Sequence, residues 1–70
     1  MSTLTNEDKI SIINQHKRNL DYTKYGLELS LMEEQAVPEP NEMRVKSLGD
    51  QIEELNKKIQ VLDKELESLS

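Results

Sequence analysis

The chain has no cysteine, no phenylalanine and no tryptophan, and among its 70 residues only two tyrosines, two glycines, two prolines and one histidine. Without cysteine there is no disulfide framework and no thiolate zinc site, and a cytoplasmic address is expected. With so few aromatics and an apolar share of 34%, a conventional globular core is not expected, since ordinary domains reach roughly 45 to 50%. No stretch has more than two adjacent aliphatic residues, and the first nine residues carry no apolar run. Neither a signal peptide nor a membrane-spanning helix is expected.

What the chain has in quantity is charge: nine basic and fourteen acidic side chains, a formal net charge of −5. A domain this short buries only about 60% of its unfolded surface and commonly needs a disulfide, a metal or a partner subunit. Here only the partner subunit is left. Residues 1–70 are expected to form one domain, and its partner to be a second copy, a dimer first of all, with a further protein target whose identity the residues do not specify.

Both prolines fall in the run Val37, Pro38, Glu39, Pro40, near the middle of the chain. Proline disfavours helical geometry in the residue before it, so Val37 and Glu39 are pushed toward extended conformations. The run predicts a bend over 37–40. Upstream, Thr5 followed by Asp8 imitates a capping box and marks a helix start, which predicts helix 1 over 5–36. Downstream, Asn41 or Pro40 suits a first turn, with Glu42 near the positive end of the helix dipole, which predicts helix 2 over 41–69. Two helices of similar length joined by a short link fold back as an antiparallel hairpin of coiled-coil type, and two such hairpins are expected to associate as a four-helix bundle or paired coiled coil.

In helix 2 the apolar residues Val45, Leu48, Ile52, Leu55, Ile59, Leu62, Leu66 and Leu69 are spaced 3, 4, 3, 4, 3, 4, 3 without a gap. This is a heptad seam with Val or Ile at three of four a positions and Leu at every d. Such a seam also suits a parallel two-stranded zipper, in which Lys58 would face Asp63 of a second chain. The flanking Arg44, Gly49, Gln51, Asn56, Lys58, Asp63 and Glu65 keep the seam narrow, so helix 2 touches one neighbour closely.

Helix 1 carries two stripes. The first is Ile10, Ile13, Leu20, Leu27 and Leu31, with Lys17 and Lys24 at two seam positions. It is assigned to closing the hairpin. The second is Tyr22, Tyr25, Leu29, Met32 and Ala36, with Gly26 among them. It is left uncovered in a single hairpin and is the expected partner or dimer interface. Gly26 costs helix propensity, which suits either a close approach by a backbone or a ring, or a kink.

No residue pattern points to catalysis. His16 has no second histidine or cysteine as a metal partner and no visible nucleophile to serve, and the carboxylates of helix 2 fall off the seam, where solvation is expected. No catalytic, cofactor-binding or metal-binding residue is assigned. Residues 9–25 carry a local charge of +3 and residues 28–42 one of −5, but the basic side chains are spread around the helix. Nucleic-acid binding needs them on one face, so it is disfavoured, and no membrane partner is expected. The all-α hairpin resembles in architecture small viral accessory proteins, chaperone subunits and adaptor modules. The resemblance implies an interaction role and transfers no site residues.

Overall fold

The structure is a computed structural model that describes residues 3–70, and Met1 and Ser2 of the expected domain lie outside the described residues. Its two helices are α1, Asn6–Gln35, and α2, Glu42–Leu69. They pack side by side as an antiparallel hairpin measuring 55 × 19 × 14 Å.

Each helix is shorter than expected, because the residues read as helix ends are caps. Thr5 is extended at φ −77° and ψ 168° and belongs to the cap of α1. Its hydroxyl accepts from the Asp8 backbone N–H, while an Asp8 carboxylate oxygen accepts from the Thr5 N–H, both at 3.1 Å. Asp does here what Glu or Gln does in the common capping box. At the other end Ala36 donates its N–H to the Glu33 carbonyl at 3.3 Å, a tightened last turn that Val37, ahead of Pro38, does not extend. Asn41 caps α2 by accepting the Arg44 N–H at 3.2 Å.

The reversal is held by one side chain. Glu34 accepts the Asn41 N–H through Oε1 at 3.1 Å, and its Oε2 lies 3.4 Å from the Arg44 guanidinium. A carboxylate at the C-terminal turn of α1 is unfavourable for that helix. The bend, however, places it at the positive end of α2.

Residues facing each other across the hairpin have numbers that add to about 80: Lys17 meets Asp63, Leu20 lies by Leu62, and Ile10 lies by Leu66 and Ser70. In that register the inner face of α1 is Ile10, Ile13, Lys17, Leu20, Lys24, Leu27, Leu31 and Glu34, all half-buried. Opposite stands the full series from Val45 to Leu69, of which Leu48 is the most enclosed at 6% exposure. Two helices make a seam rather than an interior. Elsewhere among the described residues no side chain is fully buried.

The surface reflects this. The hairpin exposes 5775 Å², whereas a compact monomer of its 8.1 kDa mass exposes about 4,500 Å².

Candidate interaction surface

The first stripe of helix 1 lies on the inner face, and Lys17 and Lys24 lie with it. Lys17 extends from the seam so that its ammonium meets the Asp63 carboxylate at 2.6 Å. That hydrogen bond, supported by the charges of Asp63 and Asp21 and opposed by partial desolvation, holds the Lys17 ammonium above the ordinary lysine value of 10.5. Lys24 turns along its own helix to Glu28 at 3.9 Å. Both lysines lay their aliphatic stems along the seam and place their charge at its edge.

The second stripe faces out. Tyr22 is 84% exposed, Tyr25 59%, Leu29 41% and Met32 56%, and Ala36 is exposed beyond them. At 100° per residue this stripe points roughly 160° away from the adjoining part of the inner seam, so it lies nearly opposite α2. Its spacing, 3, 4, 3, 4 from Tyr22 to Ala36, is again heptad spacing. Arg18 continues the line by one position toward the N-terminus, and beyond it the outer face turns polar at Gln15 and Ser11.

Gly26 lies at the edge of this stripe and is exposed. A side chain built there would meet no other element of the described residues within 4 Å, so no close approach by α2 or by a ring among them accounts for the glycine. Helix α1 also runs unbroken through it. One turn before it, the Thr23 hydroxyl donates to the Asn19 carbonyl at 3.1 Å, leaving the tyrosines to define the face. The rim is acidic: Asp21 and Glu28 on one side, Glu33 on the other.

The outer face of α2 has no comparable stripe. Met43 and Val61 are exposed at 84% and 66%, but about five turns of helix separate them. His16 is exposed beside a shallow groove shared with Leu20, Lys58 and Leu62. Among the described residues no three of His, Asp and Glu gather as metal ligands, and no helix is long and apolar enough to cross a membrane.

Two site features were not read from the sequence. Glu34 completes the inner heptad of α1 and ties the bend, although it reads as one more charge in an acidic stretch. Asp63 pairs with Lys17 of its own chain. The signal for both is the bend itself, because placing the reversal at 37–40 fixes which residues face each other.

No described protein family, curated protein or solved structure matches this chain.

Proposed function

We propose that this protein is a non-catalytic interaction module: a small helical-hairpin adaptor, scaffold or accessory regulator that self-associates, with a dimer as its basic form. The observation that carries the reading is the stripe Tyr22, Tyr25, Leu29 and Met32, solvent-exposed and at heptad spacing on the face of α1 turned away from α2. Continuous apolar stripes of this kind mark interaction sites, and tyrosine is favoured in them because its large ring is apolar on its faces and polar at its tip. In this account α2 holds the hairpin and α1 selects partners in the cytoplasm.

The test is sedimentation of the wild type against Tyr25→Ala combined with Leu29→Ala. The expected result is a wild-type mass near twice 8.1 kDa and at least tenfold weaker self-association in the variant, with helicity by circular dichroism retained. Equal masses for the two proteins would overturn the choice of stripe.

A parallel zipper through α2, with α1 projecting to a target, is the competing arrangement. It separates Lys17 from Asp63 and releases Glu34 from the start of α2, so the ties within the hairpin count against it. Small-angle scattering distinguishes the two, because the opened chain is a rod of roughly 90 Å or more and a dimer of hairpins is shorter than about 80 Å. Nucleic-acid association would show as retardation of DNA or RNA that falls steeply with salt, and none is expected.

A further inference from the structure

We infer that the outer stripe of α1 is completed by the same stripe of a second copy running in the opposite direction, about a two-fold axis beside Gly26. This rests on the interaction reading above and gives it a partner, a direction and a register. In an antiparallel helix pair the a positions of one helix lie against the d positions of the other. The outer stripe has Tyr22, Leu29 and Ala36 at a, and Arg18, Tyr25 and Met32 at d. One register matches all six: Tyr22 against the partner's Met32, Leu29 against the partner's Tyr25, and Arg18 over the partner's Ala36. Shifting it by one heptad in either direction removes two of these layers, setting Tyr22 against an acidic bend residue or Leu29 against an arginine.

Two features independent of the spacing agree with this register. First, it brings Gly26 opposite its own copy at the axis. The glycine, which no other described element approaches within 4 Å, then lies beside its copy at the edge of the helix pair, where a missing side chain lets the two helices draw together. Second, the charges fit. Arg18 comes within reach of the partner's Glu33, twice by symmetry, and Asp21 lies near the partner's Gln35. The one like-charge meeting is Glu28 with its copy, where each carboxylate already has Lys24 at 3.9 Å. Because the stripe is nearly opposite α2, the assembly is a flat row of four helices, α2 and α1 of one chain, then α1 and α2 of the other. A square bundle would need the two faces of α1 closer to a right angle.

Single cysteines test this cleanly, because the chain has none of its own. With a short bis-maleimide linker, Gly26→Cys is expected to link to itself at least tenfold faster than Lys57→Cys on the outer face of α2. Asn19→Cys is expected to link only when mixed with Glu33→Cys. Self-linking of Asn19→Cys and of Glu33→Cys would mean a parallel pair and would overturn the direction while leaving the interaction reading intact. A dimer by sedimentation without any of these links would overturn the choice of face. A chain that stays at 8.1 kDa at high concentration would overturn self-association altogether. As a separate arm, Glu28→Gln is expected to tighten the dimer about threefold by removing the like-charge meeting. An unchanged or weaker dimer would overturn the register.

Discussion

The two helices solve the same packing problem at different levels of commitment. Helix α2 puts all eight of its regularly spaced apolar residues on one line and leaves only the separate Met43 and Val61 exposed elsewhere. Helix α1 meets that line with five apolar residues, two lysines and a glutamate, and keeps four large side chains and Ala36 for its outer face. One helix is single-faced and the other two-faced. An interrupted seam still closes when its partner is uninterrupted, and this frees part of α1 to do something other than hold the fold.

The strongest way to break that division of labour is to damage the single-faced helix. Leu48→Ala is expected to cost about 3 kcal/mol, enough to make a lone hairpin unfold near room temperature, read by thermal melting followed by circular dichroism. The opposite change repairs the interruption in α1. Lys24→Leu is expected to stabilise the hairpin by about 1 to 2 kcal/mol, because it exchanges a stem and a weak contact along the helix for seam burial. A fall in melting temperature would show that Lys24 is needed where it is. Next comes the cap of α2. Asn41→Ala is expected to lose about 1 kcal/mol, and Asn41→Gly much less, in denaturant titrations.

The smallest effect separates the lysines. Because the folded state raises the proton affinity of Lys17, its contribution is complete below the unfolded value near 10.5 and is lost as pH rises through the higher folded value. The stability difference between the wild type and Lys17→Met is therefore expected to be constant from neutral pH to about pH 10 and to change only above it. A difference that moves between pH 6 and 8 would point to another group. Lys46→Ala, which removes an exposed pair with Asp50 at 3.8 Å, is expected to change stability by less than about 0.5 kcal/mol.

Most of the hairpin is legible in the sequence, because each signal in it is local or periodic. Thr5 with Asp8, the Pro38 and Pro40 bend, and the spacing from Val45 to Leu69 each depend on a few neighbouring residues. The helix ends shift by one position for a physical reason: a cap shares hydrogen bonds with the helix without adopting its dihedral angles. What the local reading misses is what requires the reversal. Asp63 sits at the same heptad edge whether its lysine comes from a second chain or from α1, and only the antiparallel register selects Lys17. Glu34 is one of several carboxylates in an acidic stretch, and its role depends on a backbone N–H seven residues later turning back to meet it. The two stripes of α1 were separable from the periodicity alone. That Gly26 is unapproached by any other element of the described residues was not, because a glycine in a helix reads equally as a close approach or a kink.

The Glu34 clasp bears on time as well as on structure. Every contact of the seam is nested around the bend, so closure is expected to run outward from Ala36 and Asn41, each layer shortening the search for the next. A loop of about ten residues closes in roughly 10 to 100 ns, and helical proteins dominated by nested local contacts fold in microseconds to milliseconds. Loosening the clasp, for instance by Glu34→Ala, acts on the first step of that sequence and should slow folding more than it speeds unfolding. The outer stripe is complete only when the last turns of α1 are in place, next to the bend. The outer stripe is thus expected to be among the first parts of the molecule to form.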